Sequence, residues 1–154
     1  RLQPSLLMEA DIAAGKRWFV ERCALCHRLG NLGVDVGPSV ASMRGLRKRG
    51  ILESVLAPNR EVAPQYYGLT LVSGAIEQTG ILRIETETSI TLRQAGGIEV
   101  NTLKSRIDRV ESTGMSLMPE GLLDDLGPQA VADLLEYLMY GEGDGESGQG
   151  LGRQ

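Results

Sequence analysis

The sequence is poor in several residue types, and each shortage excludes a class of protein. Aromatic residues make up only 4% of the 154 residues, so a core would lack large fillers unless another group supplied that volume. Sixteen basic residues stand against 20 acidic ones, and the net charge of −4 argues against a general nucleic-acid binder. No apolar run approaches the roughly 18 residues that a membrane-spanning helix needs. Hydrophobic residues at 42% are still enough for a folded core.

Cysteine and histidine are rare but adjacent. The chain has two Cys and one His, and all three lie in Cys23-Ala24-Leu25-Cys26-His27. On a helical turn, positions three and four apart share a face, so the thiols and the imidazole project together. Two thiols so placed can each add to a vinyl group of haem, and the imidazole can reach the iron. We interpret the motif as the attachment site of one covalent haem c.

Three other interpretations of the motif remain open. A structural zinc site needs four nitrogen or sulfur ligands and the chain offers three strong ones, so zinc would have to be shared between chains. A thioredoxin-like redox pair belongs beside a parallel βαβ unit, and no such alternation is present. A disulfide is geometrically poor at this spacing in a helix and would leave His27 without a role.

The other face of the iron needs a ligand that is not histidine, because the chain has only one. The usual partner is a Met thioether. Met8 precedes the first helix, Met43 follows the motif too closely to cross to the opposite face, and Met139 lies in a helical pattern typical of core packing.

Met115 and Met118 are the remaining candidates. Both lie in a segment rich in helix breakers, which predicts a loop. A loop of this kind can place a side chain against the open face of a haem. Pro119 stiffens the backbone and favours an extended conformation at the residue before it. The spacing therefore favours Met118.

Five motifs lie along residues 10–141: Gly15-Lys16-Arg17-Trp18-Phe19, Cys23 to His27, Gly37-Pro38, Met118-Pro119 and Leu134-Leu135-Glu136-Tyr137-Leu138. Taken together, they resemble class I cytochrome c. More narrowly, the chain resembles the haem-binding c-type domain of planctomycetes and verrucomicrobia, in which a β-rich insert splits the cytochrome. The resemblance implies that His27 and Met118 are the axial ligands, and that the carbonyl of Pro38 accepts a hydrogen bond from the His27 ring.

The resemblance also implies a mainly α cytochrome c fold with a β-rich insert. Five short strands in under fifty residues predict that the insert is a small antiparallel β-barrel or sheet of Sm or SH3-like type. The expected parts are the haem-attachment segment at 10–65, a five-stranded insert at 66–111, the Met loop and last helix at 112–141, and a flexible Gly-rich tail at 142–154.

Periodicity predicts the individual elements. Helices are expected at 11–22, at 51–57 and from Pro128 to Gly141, with Gly15 letting the first and last approach so that Phe19 meets Leu134 or Tyr137. Alternating and β-branched patterns predict short strands. They lie near Tyr67–Ser73, Thr79–Ile84, Ile90–Gln94, Ile98–Thr102 and Arg106–Glu111.

The expected function is electron transfer rather than enzymatic catalysis, because His and Met ligands leave no open position on iron. The expected partners are a fused or separate dehydrogenase as donor and a downstream acceptor. A haem-based sensor or peroxidase-like protein with a detachable sixth ligand is the alternative, and a non-haem binding module is a third. The basic run Arg44–Arg49 is interpreted as a solvated helix end, with contact to a haem propionate or an acidic partner as the weaker alternative.

Covalent haem is normally attached outside the cytoplasm, so we expect a periplasmic or otherwise exported protein. The chain begins with Arg1 rather than Met, from which we expect a processed or excised segment whose missing start held an export signal.

Overall fold

The computed structural model describes residues 1–143, and in this part of the chain helices and strands are mixed. Helical residues, including five short 3-10 segments, account for 38% and strand residues for 27%. The helices are α1 (Ile12–Arg22), α2 (Val40–Met43), α3 (Arg47–Leu56) and α4 (Pro128–Tyr140). Most of the tail predicted at 142–154 lies outside the described residues.

Helices α1 and α4 pack closely against each other. The side chain of Asp11 accepts hydrogen bonds from the N–H groups of Ala13 and Ala14, which fixes the start of α1. A Cβ at Gly15 would lie 1.9 Å from the carbonyl oxygen of Asp133, so only glycine allows this approach. The rings of Phe19 and Tyr137 meet with centroids 5.5 Å apart, as predicted for this crossing.

Two residues of the basic run after α2, Arg44 and Lys48, bind α4. Nε of Arg44 donates to the carbonyl oxygen of Leu138 at 2.8 Å, and its Nη2 donates to that of Gly141 at 2.6 Å. These carbonyls belong to the last turn of α4, where cations are favoured. Lys48 forms an ion pair with Glu136 on the same helix. Two of the four cations are therefore structural rather than solvated, which corrects the prediction of a solvated helix end.

The remaining elements are strands. A short hairpin, β1 (Arg28–Leu29) with β2 (Leu32–Gly33), follows the cysteine motif. The main sheet consists of β3 (Tyr67–Ser73), β4 (Ile76–Glu85), β5 (Ser89–Arg93), β6 (Glu99–Leu103) and β7 (Arg109–Ser116).

The main sheet is antiparallel, with strand order β6-β5-β4-β3-β7. Strand β4 pairs with β3 and with β5, and its register to β5 shifts between Leu82 and Ile84. Within residues 1–143 no ladder joins β6 to β7, so hydrogen bonds do not close the sheet into a barrel. Each of the five predicted strands overlaps a strand of this sheet.

The prediction of a mainly α fold is wrong. Residues 67–116 form a five-stranded sheet with its own small core, built from Leu71, Ile90 and Leu92. Because alternating strands bury one face and satisfy their backbone groups by pairing, this segment forms a substantial layer beside the helices. Strand β7 also continues to Ser116, five residues beyond the insert boundary expected at 111. The structure is mixed α and β.

Candidate functional site

Cys23, Cys26 and His27 lie on one tight turn at the end of α1. The N–H of Cys23 donates to the carbonyl oxygen of Phe19 at 2.8 Å, which ends the helix. The N–H groups of Cys26 and His27 both donate to the carbonyl oxygen of Cys23, at 3.1 and 2.9 Å. Both thiols are free and half-buried. The turn therefore holds the two cysteines and the histidine close together in the chain at the end of α1, although the three side chains do not converge on one point.

The segment after the motif folds back against it. The carbonyl oxygen of Cys26 accepts hydrogen bonds from the N–H groups of Val36 and Gly37, at 3.0 and 2.7 Å. Hairpin β1–β2 turns the chain back towards the motif. Its last residue must be glycine, because a Cβ at Gly33 would lie 1.9 Å from the carbonyl oxygen of His27. Gly33 also has φ of +81°, which favours glycine. These contacts place Pro38 beside the imidazole.

The imidazole of His27 is oriented by the chain itself. Its Nδ1 lies 2.7 Å from the carbonyl oxygen of Pro38, the hydrogen bond that the family resemblance implies. A carbonyl oxygen only accepts hydrogen bonds, so Nδ1 carries the hydrogen, and in the tautomer that this contact selects the lone pair is on Nε2. A histidine ring oriented in this way can bind a metal ion through Nε2.

A cavity beside this turn contains the other predicted ligand. It has a volume of about 50 Å³, and most of its walls are apolar. The wall residues are Cys23, His27, Val40, Met43, Leu46, Ile51, Ser54, Val55, Met118 and Leu138. The structure therefore brings one thiol, the imidazole and the Met118 thioether to one cavity, while Cys26 lies outside its lining.

The five methionines have different environments. Met118 is half-buried on the cavity wall, whereas Met115 is 53% exposed on β7. Met139 is buried in the helical core, and Met8 is largely exposed. Met43, which the sequence analysis set aside, also lines the cavity. The cavity thus has two thioethers, and sequence spacing identified one of them.

Hydrogen bonds hold the segment that carries Met118. The N–H of Met118 donates to Oγ of Ser116 at 3.0 Å, and the N–H of Ser116 donates to Oδ1 of Asn59 at 2.9 Å. Nδ2 of Asn59 in turn donates to Oε1 of Glu120 at 3.1 Å. Asn59 was missed by the sequence analysis, because a single amide in a loop has no spacing pattern that marks its partners.

The two thiols are not activated as a redox pair would be. Burial raises the pKa of the Cys23 thiol to about 12, and the nearby positive charge of Arg22 offsets this only in part. Burial also raises the pKa of the Cys26 thiol. Thioredoxin-like pairs instead have a thiol of lowered pKa. Both side chains are therefore protonated at neutral pH, which argues against the redox-pair interpretation.

The zinc interpretation also lacks support from the geometry. Among residues 1–143, no three His, Cys, Asp or Glu side chains converge in a way that could hold a metal ion. The motif's own three ligands are included in this statement. A closed zinc site within the described chain would need such a convergence.

The sheet contacts the cysteine turn directly. The N–H of Gly96 donates to the carbonyl oxygen of Leu25 at 2.7 Å, and Nη1 of Arg93 donates to that of Asp35 at 2.7 Å. Gly96 has φ of +79°, so the turn after β5 depends on glycine there. The sequence analysis predicted a break between the strands near Ile90–Gln94 and Ile98–Thr102, but not this contact with the cysteine motif.

Comparison of the chain with models of protein families and with curated proteins found no match in either case. Within residues 1–143, none of the helices has both the length and the apolar character needed to cross a membrane.

Proposed function

We propose that this chain is a mono-haem c-type electron-transfer protein. Cys23 and Cys26 would hold the haem through thioethers, and His27 and Met118 would bind its iron. The observation that carries the proposal is the shared cavity, in which an imidazole with its Nε2 lone pair available and a thioether line the same apolar walls.

The residues of the cavity fit a haem by their chemistry. Val40, Leu46, Ile51 and Leu138 supply apolar surface for a large flat macrocycle, in a chain with few aromatic side chains of its own. Both cysteines are unpaired by any disulfide, and net addition of each S–H across a vinyl group of haem would form a thioether. A haem held there supplies an iron that takes up and releases one electron at a time.

The ligand pair favours electron transfer over catalysis at iron. His27 and Met118 would both bind the iron, and a substrate would then have no open position to occupy. The protein would then pass electrons from a dehydrogenase, fused or separate, to a downstream carrier. Because covalent haem is normally attached outside the cytoplasm, the proposal includes a periplasmic or otherwise exported location.

The alternative is a haem-based sensor or a peroxidase-like protein from which Met118 detaches. The observation that favours it is the backbone around Met118: Gly114 and Gly121 both have positive φ, of +67° and +78°, and Pro119 is exposed. Such a segment can move without breaking a helix or a sheet core. A detached ligand would leave the sixth position open to small molecules.

One experiment tests the proposal against this alternative. The full chain is produced with haem-attachment machinery, and its absorption spectrum and carbon monoxide binding are measured for wild type, Met118→Ala and Met115→Ala. Electron transfer predicts a methionine-ligated spectrum and slow carbon monoxide binding in wild type and Met115→Ala, with both changed in Met118→Ala. Rapid carbon monoxide binding by the wild type would instead support the sensor or peroxidase-like function. A spectrum that Met118→Ala leaves unchanged would refute the ligand assignment.

A further inference from the structure

Asn59 lies where the cavity wall meets the Met118 segment. Helix α3 supplies Ile51, Ser54 and Val55 to the cavity wall, and Asn59 follows that helix within one turn of chain. The N–H of Arg60 donates to the carbonyl oxygen of Ala57 at 3.1 Å, so Asn59 is part of a tight turn.

The side-chain amide of Asn59 makes a hydrogen bond on each side of Met118 in the sequence. Oδ1 accepts from the backbone N–H of Ser116 at 2.9 Å, and Nδ2 donates to the carboxylate of Glu120 at 3.1 Å. The chemistry of the partners fixes the orientation of the amide, because a backbone N–H only donates and an ionised carboxylate only accepts. Neither hydrogen bond can be replaced by turning the amide over.

Ser116 connects Asn59 to Met118 through two hydrogen bonds. Its backbone is held by Asn59, and its hydroxyl oxygen accepts the N–H of Met118 at 3.0 Å. Ser116 also pairs with Tyr67 at the end of the β3–β7 ladder, whose register then shifts before Leu69. Beyond this last pair, the described hydrogen bonds that tie the segment to the helical side of the cavity are those of Asn59.

We propose that Asn59 is a positioning residue that fixes the Met118 thioether against the cavity wall formed by α3. The proposal rests on the proposed function, because the position of Met118 matters to iron only if Met118 is a ligand. Asn59 does not touch the iron. It sets the distance between the segment that carries the thioether and the helix that forms the wall.

The test uses three variants of the full chain and a matched control. Asn59→Ala removes both hydrogen bonds. Asn59→Asp keeps the acceptor for Ser116 but places a second carboxylate against Glu120, and adding Glu120→Gln to it restores a donor–acceptor pair with the roles exchanged. Asn101→Ala is the control, since Asn101 also uses its amide to bind side chains, those of Ser89 and Thr91, in the sheet.

The first measurement is backbone hydrogen exchange at Ser116 and Met118. We expect exchange at Ser116 to rise about tenfold in Asn59→Ala, the effect of losing one ordinary hydrogen bond. Asn101→Ala should leave it unchanged, and Asn59→Asp with Glu120→Gln should restore most of the protection that Asn59→Asp alone loses. Equal exchange at Ser116 in Asn59→Ala and in the control would overturn the proposal.

The second measurement is the strength of the absorption band from sulfur-to-iron ligation, with the reduction potential. We expect the band to weaken and the potential to fall in Asn59→Ala, and both to recover in the double variant. An unchanged band and potential in Asn59→Ala would also overturn the proposal. If the wild type takes up no haem, the proposed function fails by itself, while hydrogen exchange still shows whether Asn59 holds the segment.

Discussion

Gly37 lies directly against the imidazole ring of His27. A Cβ at position 37 would come within 2.6 Å of Cε1 and 3.0 Å of Nδ1 of that ring, closer than side-chain atoms approach each other in folded proteins. The same loop carries Pro38, whose carbonyl oxygen binds Nδ1. The orientation of His27 therefore depends on a glycine next to the residue that holds its ring.

Gly37→Ala should displace the His27 ring or the loop. We expect a loss of about 2 kcal/mol in the free energy of unfolding, typical of an added methyl group in a filled space. The haem-bound chain should also lose part of its methionine-ligated spectrum, because the Nε2 lone pair is turned. Urea unfolding and absorption spectroscopy check both effects.

Gly45→Ala is the matched control, because a Cβ at Gly45 would have no neighbouring atom within 4 Å. It should change stability by less than about 0.5 kcal/mol. Equal behaviour of the two variants would refute the close packing of Gly37 on the ring.

The raised pKa of the Cys23 thiol predicts how the stability of the haem-free chain depends on pH. The pKa of Cys23 is raised from 9.0 to about 12 by burial, so above pH 9 the folded chain holds a proton that the unfolded chain releases. The resulting stability is complete below pH 9 and should be lost as the pH rises from about 9 to about 12. Urea unfolding at several pH values measures this slope.

Cys23→Ser removes the titrating thiol and should flatten the slope, whereas Cys26→Ser should remove a smaller part of it. Iodoacetamide should also modify Cys26 faster than Cys23 at neutral pH, because Cys26 is the less buried thiol. Fast modification of Cys23 at neutral pH would contradict the burial that raises its pKa.

The basic run after α2 gives a prediction about stability. Arg44 donates to two carbonyl oxygens at the end of α4, so Arg44→Ala should cost about 2 kcal/mol. Arg49 is exposed, and Arg49→Ala should change stability by less than about 0.5 kcal/mol. Thermal unfolding of the two variants compares them directly. A larger effect at Arg49 than at Arg44 would mean that the guanidinium of Arg44 does not fix the helix end.

Local patterns in the sequence predicted much of the structure. Alternation around Ile81 and around Ile90 identified strands that are present, although burial in them does not alternate: Gly80 and Ile81 are buried in succession, as are Ile90, Thr91 and Leu92. Gly15 and Phe19 identified the crossing of α1 and α4, since a missing side chain beside a large ring marks close packing.

The overall class was not predictable in the same way. The helical motifs carried the family resemblance, and they led to a mainly α expectation although strands make up 27% of the described chain, most of them in one five-stranded sheet. Pairing of β3 with β7 joins segments separated by three other strands, and no local period reports such a contact.

Parts of the candidate site were also beyond sequence reasoning. Met43 was set aside on its distance along the chain from the cysteine motif, yet the fold brings it to the same cavity as Met118. The hydrogen bonds of Asn59 and the contact of Gly96 with Leu25 join loops, where side-chain and backbone partners depend on three-dimensional position. These residues could be found only once the elements were placed.

The most direct test of the central claim is mass spectrometry of the full chain produced together with haem-attachment machinery. The account predicts an intact mass increased by one haem, located by digestion on the peptide that contains Cys23 and Cys26, with neither thiol available to alkylation. A polypeptide of unmodified mass in which both thiols are alkylated would contradict it.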